Sequence, residues 1–247
     1  IKKIKNFIDH ILLLFNFEKK YWNKEQVSCE LVGHPLLDER EKTKIDLNQI
    51  IGKNKALISV FAGSRESEIN ILMPILLDFI ELMNKKYNDM TYVFHSTKDF
   101  SELMQSYLQK SSLSNCEIIS DDKIKFHILQ KSVFAIAKSG TVSLEICNAK
   151  IPSIILYKMG LINFFILKMF VKTKFANILN FAANEEIIPE LLQSNCNAKN
   201  IFEQVDSFLE NPEKIKSQVE KVEKVLNTLK TDKSSSELAS LSLLRFL

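Results

Sequence analysis

The feature that most constrains how this chain folds is a recurring order: a short β-branched or apolar run, a turn, then a segment with apolar residues at helical spacing. The runs VSCELV (27–32), ALISVF (56–61), MTYVFH (90–95), CEII (116–119), VFAIA (133–137) and SIILY (153–157) read as strands. Residues 66–86, 98–111, 123–131 and 141–149 lie between them and read as helices. Strands alternating with helices form βαβ units, so the expectation is an α/β domain with a parallel sheet covered by helices on both faces. From about residue 186 the pattern becomes helical throughout: EEIIPELLQ, NIFEQVDSFLE, 213–230 and 233–247. The first stretch reads as a smaller unit, with a basic helix, a strand in DHILLLF and a helix around Phe17–Lys24. It ends in GHPLLDEREKTK (33–44), a strand end followed by a polar linker. The expected organisation is 1–38 as the remnant of one domain with its linker, 39–212 as a complete domain, and 213–247 as C-terminal helices that cross back.

Glycine and arginine are scarce, which draws attention to where they stand. The 247 residues hold only five glycines, and three of the 33 basic residues are arginines (Arg40, Arg65, Arg245), leaving 33 − 3 = 30 lysines. Gly33, Gly63 and Gly140 each follow a predicted strand. In open α/β sheets ligands bind beyond the carboxyl ends of the strands. Glycine there permits positive φ and close approach to the backbone, and the helix that follows offers N–H groups and a partial positive charge to an anion. In FAGSRESEI, Arg65 can donate two parallel bonds to a phosphate while Ser64 or Ser67 caps the helix. AKSGTVSLE provides a second cradle, with Ser139 and Thr141 as hydroxyl donors and Glu145 placed to accept from sugar hydroxyls. Either loop alone fits an ordinary capped turn. The two together favour a diphosphate ligand such as a nucleotide-sugar. His34 and His95 follow strands on the same side and are candidates for contacts to that ligand, whereas His10 and His127 read as structural or surface residues.

Several classes are excluded. The chain holds no GxGxxG, GxxxxGK[ST], GxSxG or HExxH, so a dinucleotide fold of the usual fingerprint, a P-loop NTPase, a serine hydrolase and a zinc protease find no support. A net charge of +3 is too small to indicate nucleic-acid binding. Cys29, Cys116, Cys147 and Cys196 are far apart and form no CxxC pair, which reads as buried free thiols rather than a disulfide framework or metal site. No signal peptide is visible, and the chain begins without Met, as a fragment would.

Four motifs in order (GHPLLDE, FAGSRESEI with MPILL downstream, AKSGTVSLEICNAKIPSIILYKM, and NFAANEEIIPELLQ) resemble the lipid-A-disaccharide synthase family over nearly the whole chain through Gln193. The resemblance implies an inverting glycosyltransferase of GT-B type, with Rossmann-like domains, no metal and no cofactor. Such enzymes join UDP-2,3-diacylglucosamine to 2,3-diacylglucosamine 1-phosphate and release UDP. It also implies that Gly63, Ser64 and Arg65 form a loop on the UDP side, with Arg65 stabilising the leaving group. Ser139, Gly140, Thr141 and Glu145 match the donor loop SGT..LE. Alignment back from EEIIPELLQ puts Asn180 on the family's functional asparagine, with Asn177 the alternative because the usual Pro-Asn pair is absent; Glu186 and Gln193 match further along. The family's acceptor domain and its catalytic acidic residue would lie largely outside this chain, which leaves it the donor-binding half. Other readings are a GT-B relative such as the lipid-linked GlcNAc transferase of peptidoglycan synthesis or a UDP-GlcNAc 2-epimerase, and a non-catalytic nucleotide-binding remnant of a split gene. A homodimer is left open.

Residues 161–175, LINFFILKMFVKTKF, are too short and too interrupted by Lys168 for a transmembrane helix. They read either as a core helix with lysines at its edge or as a basic amphipathic surface resting on an anionic leaflet. Acylated substrates favour the second, and with it a cytoplasmic protein held peripherally on the inner face of the inner membrane.

Overall fold

The computed structural model of the chain describes residues 1, 3–38, 56–160, 164 and 173–246. They form two compact units, Ile1–Thr43 with Glu223–Leu247, and Lys44–Val222. In the first, β1 (His10–Leu13) and β2 (Ser28–Leu31) pair in parallel, joined through α1 (Lys19–Lys24).

The second unit is built on a six-stranded sheet of β3 (Ala56–Phe61), β4 (Met90–His95), β5 (Cys116–Ile119), β6 (Phe134–Lys138), β7 (Ser153–Tyr157) and β8 (Glu190–Leu192). Its strand order is β5-β4-β3-β6-β7-β8, and every pairing is parallel. The chain runs outward from β3 to β5, then returns to place β6 on the other side of β3. The loops after β3 and β6 therefore diverge at one point, which opens a crevice at their carboxyl ends.

Alternation along the strands sends side chains to both faces. Ile58, Val60, Tyr92, Phe94, Phe134 and Ile136 pack on one side with the apolar stripe of α2 (Glu66–Asn84), including Ile69, Leu72, Met73, Leu76, Phe79, Ile80 and Met83. That spacing of three and four residues is what a helix needs to lay one face on a sheet. Leu57 and Val93 face the other way and meet Ile128 of α4 (Asp122–Lys131). The connections between these strands also contain α3 (Ser101–Gln109) and α5 (Val142–Asn148), and α6 (Ile178–Ala183) precedes β8.

One expectation needs correction. EEIIPELLQ follows a helical spacing, but the structure makes Glu190–Leu192 the edge strand of the sheet. Pro189 fixes its own φ and disfavours helix at Ile188, whose side chain is fully buried. After β8 come α7 (Ala198–Leu209) and α8 (Pro212–Leu229). Gln218 of α8 pins β7 by accepting from Ser153 N–H at 2.7 Å and donating to Ser153 C=O at 3.0 Å.

The unit division falls within α8, at Val222/Glu223, and α9 (Ser235–Leu243) belongs with β1 and β2. There Asp38 accepts from the backbone N–H of Ser235 at 3.1 Å and from its hydroxyl at 2.7 Å. Gly33 holds φ at +81°, and a Cβ on it would lie 2.7 Å from Thr231 Oγ1. All four cysteines are free; Cys147 and Cys196 are buried, while Cys29 and Cys116 are only half-buried.

Candidate functional site

A cavity of about 360 Å³ opens at the crevice beyond the carboxyl ends of β3, β4 and β6. The loop after β3 contributes Gly63, Ser64 and Arg65, and the loop after β6 contributes Ser139, Gly140 and Thr141. Glu145, one turn into α5, lies at its edge with His95, Lys125 and Lys138.

Gly63 has φ +123°, a conformation that side chains resist, so glycine is required by the backbone there. A Cβ on Gly63 would meet Glu68 Cβ at 2.6 Å and Oε2 at 2.7 Å. Gly140 is different: the glycines with positive φ among the described residues are Gly33 and Gly63, and no atom comes closer than 4.0 Å to a Cβ built on Gly140. Its position is explained by open space rather than by backbone strain.

Neither Ser64 nor Ser67 caps α2, contrary to expectation. The N-cap residue is Arg65, without a side-chain cap, and the carboxylate of Glu68 reaches back to accept from Ser64 N–H at 3.1 Å. The same carboxylate takes Arg65 Nη1 at 3.2 Å and Lys138 Nζ at 2.7 Å. Burial pushes the Glu68 pKa up, but the bonds from Lys138 and Ser64 N–H and the two positive charges outweigh it and hold the group below its ordinary value. Arg65 itself is 76% exposed, so most of its guanidinium remains open to a ligand.

The β6 loop is tied to the segment before α6. Ser139 Oγ donates to Ala176 C=O at 2.7 Å, which commits its proton and leaves its lone pairs. Thr141 is exposed at the cavity rim. Glu145 is 7% exposed and pairs with Lys125 at 3.0 Å.

His95 lies at the cavity, stacked on Phe61 at 4.3 Å with the rings within 7° of parallel. Its Nε2 is 2.9 Å from Ser59 Oγ, which is 2.8 Å from Ser132 Oγ, and Ser132 donates to Ile128 C=O at 2.9 Å. That chain has one consistent proton count: Ser132 gives its hydrogen to the carbonyl, Ser59 gives its hydrogen to Ser132, and His95 must donate from Nε2. Burial, helped by the charge of Lys125, pushes the His95 pKa down to about 3, so the ring stays neutral. His34 sits in the other unit, where its Nδ1 accepts from Leu36 N–H at 3.1 Å and burial again lowers its pKa.

A family model described as lipid-A-disaccharide synthetase matches residues 1–243. The chain belongs to this family. It is 31% identical to the lipid-A-disaccharide synthase of Rickettsia prowazekii, over 94% of this chain and 62% of the relative. With the synthase of Persephonella marina it is 33% identical, over 96% of this chain and 66% of the relative. The chain thus spans slightly under two thirds of the length of these curated synthases. Among solved structures, a Staphylococcus aureus MnaA–UDP complex superposes with a TM-score of 0.65 at 15% identity, covering 94% of this chain and 64% of that one. The C-terminal domain of a group 1 glycosyl transferase from Francisella tularensis gives 0.50 at 14% identity, covering 75% and 91%. These likenesses are of fold, and they set the sheet unit among the α/β folds of GT-B glycosyltransferases.

Within this synthase-family chain the crevice gathers Gly63, Ser64, Arg65, Ser139, Gly140, Thr141 and Glu145, but not the residues of the fourth motif. Asn180 is fully buried: its Oδ1 accepts from Ile187 and Ile188 N–H, each at 2.9 Å, and its Nδ2 donates to Ile188 C=O and to Glu190. Asn177 caps α6 through Leu179 N–H at 2.8 Å. Glu186 is exposed and accepts from Glu190 N–H at 3.1 Å, and Gln193 accepts from Met159 N–H at 3.3 Å. Sequence reasoning passed over Glu68, Lys125, Lys138 and Glu190. Glu190 accepts from Ala176 N–H at 2.8 Å and Asn177 N–H at 3.0 Å, which fixes the segment that Ser139 holds. The R-x-x-E spacing from Arg65 to Glu68 and the lysine that ends the buried strand β6 were the available signals. Residues 161–163 and 165–172, most of the segment read as a membrane surface, lie outside the described residues. Among the described residues no helix is long and apolar enough to cross a membrane, and no group of His, Cys, Asp and Glu could hold a metal ion.

Proposed function

We propose that this chain carries the donor-nucleotide site of a lipid-A-disaccharide synthase. In that reading UDP-2,3-diacylglucosamine places its diphosphate between the β3 and β6 loops. Its ribose hydroxyls reach Glu145, and the sugar is transferred to 2,3-diacylglucosamine 1-phosphate with release of UDP. The observation that carries the reading is the convergence of two loops at the crevice between β3 and β6, one bearing Arg65 and the other followed by the buried carboxylate of Glu145. Chemically, the departing UDP develops negative charge on its diphosphate. The Arg65 guanidinium and the N–H groups of Ser64 and Gly140 stabilise that charge more in the transition state than in the ground state, and donors aimed at the developing charge lower the barrier. Glu145 contributes recognition rather than proton transfer, since ribose hydroxyls are donors suited to a carboxylate acceptor.

The acylated substrates imply that the protein works at an anionic membrane surface on the cytoplasmic side of the inner membrane, through the basic, Phe-rich stretch at 161–175. Co-sedimentation with anionic liposomes, lost on Phe164→Ser with Lys172→Glu, is the expected behaviour.

Calorimetric titration of the chain with UDP tests the donor site. Saturable binding that weakens about tenfold or more in Arg65→Ala is the expected result. Absence of binding, or an affinity indifferent to Arg65, counts against it.

A further inference from the structure

We infer that Lys138 is a phosphate-binding residue of the donor site, and that Glu68 is the internal anion a ligand diphosphate must displace from it. The inference rests on the donor-site reading above and adds two residues to it. Backbone N–H of Ser64, Nη1 of Arg65 and Nζ of Lys138 come from different sides, and all converge on one carboxylate at 3.1, 3.2 and 2.7 Å. This donor set, a loop N–H, a guanidinium and an ammonium, is the kind that holds a phosphate oxygen pair. The carboxylate stands against Gly63, within 2.7 Å of where a Cβ would be. Glycine keeps that space clear for an anion's close approach, and here a side-chain anion of the same chain fills it.

Lys138 is well placed to change partners. Its side chain is 19% exposed and lines the cavity, and Nζ lies 5.7 Å from the centre of the Tyr157 ring, which steers it by cation–π attraction whichever anion it meets. Glu68 neutralises one of two cations, so it lowers the positive charge offered to a multiply charged diphosphate. It also keeps the two cations from repelling each other. Ligand binding is then an exchange of anions: the diphosphate takes Lys138, Arg65 and Ser64 N–H, and Glu68 turns to solvent.

The exchange predicts effects of opposite sign. In calorimetric titrations of the full chain with UDP and with uridine, Lys138→Met should weaken UDP about tenfold and leave uridine unchanged, because uridine brings no phosphate. Glu68→Gln, which can still accept from Ser64 N–H, should tighten UDP about three- to tenfold with uridine again unchanged. In the double variant the gain from Glu68→Gln should shrink, since the cation it competed for is gone. Should Glu68→Gln fail a melting-curve check, Lys138→Met alone still decides, by the contrast between UDP and uridine. A Glu68→Gln protein that binds UDP more weakly would overturn the exchange, and so would Lys138→Met with wild-type UDP affinity. If the wild-type chain binds neither compound, the donor-site reading falls and takes this inference with it. If it binds UDP and the variants match it, only the inference falls.

Discussion

The neutral, buried imidazole of His95 gives a folding stability that depends on pH, and its size can be worked out. The ring lies under Phe61 and donates from Nε2 into the chain of Ser59 and Ser132, with the charge of Lys125 nearby. Its pKa falls from an ordinary 6.5 to about 3 in the fold. Below pH 6.5 the unfolded chain binds a proton here that the folded chain refuses, so stability rises with pH. The contribution is fully present above 6.5 and is lost as pH falls, by about 1.4 kcal/mol per pH unit, until the folded pKa is reached. Moving from pH 7.5 to pH 5 should therefore remove about 2 kcal/mol through this one residue. His95→Gln keeps an N–H donor for Ser59 and does not titrate. Urea unfolding followed by far-UV ellipticity at both pH values reads the secondary structure of both units, most of it in the sheet unit, while fluorescence of the only tryptophan, Trp22, reads the other unit and separates its transition. His34 and the carboxylates of Glu30, Glu68 and Asp206, whose pKa values are also lowered, are common to both proteins and cancel in the difference. The wild type should lose about 2 kcal/mol more than His95→Gln over this interval. Equal losses would refute the buried neutral ring.

Three further variants probe how the site is held. Gly63→Ala places a methyl group 2.6 Å from Glu68 Cβ at φ +123°, and should cost about 1–3 kcal/mol in urea unfolding while disturbing UDP binding. Asn180→Ala strands the N–H groups of Ile187 and Ile188 in the interior and should cost about 2–4 kcal/mol by the same assay; a loss below about 1 kcal/mol would mean the residue is not structural. Gln218→Leu removes both bonds to Ser153 of β7, so the amides of β7 should exchange hydrogen about tenfold faster while those of β4 keep their protection.

How far the sequence discloses such a site depends on whether a residue's surroundings are local. Strands β3, β4, β6 and β7 could be read directly because a strand buried on both faces shows as an unbroken apolar run, and the loops after β3 and β6 follow from where those runs stop. Gly63 was legible for the same reason: a glycine between a buried strand and a helix start is a backbone requirement. Gly140 occupies the equivalent place by the same logic and yet has no positive φ, so position alone overstates the case. The edge strand β8 was hidden because a three-residue strand beside Pro189 leaves too short a pattern to compete with the helical spacing around it. Asn180 was legible only as a matched motif position; its environment, four bonds to the 187–190 segment, is made by chain reversal after α6.

The charges of the crevice were the least legible part, and the physical reason is instructive. In a chain with 30 lysines, Lys125 and Lys138 carry no compositional mark, while a scarce arginine does. What singles them out is burial beside a carboxylate: Lys125 against Glu145 and Lys138 against Glu68, pairs separated by 20 and 70 residues (145 − 125 and 138 − 68). Parallel topology creates both pairs, because all six strands end along one edge of the sheet and deliver the residues that follow them to one rim; β3 and β6 are neighbours, while β5 and β6 are separated by β4 and β3. A partly buried charge is tolerated only when paired, so each cation comes with its own anion built in. Any anionic ligand entering this crevice must therefore compete with Glu68 and Glu145, and its affinity measures the difference between two sets of ion pairs rather than the attraction of the cations alone.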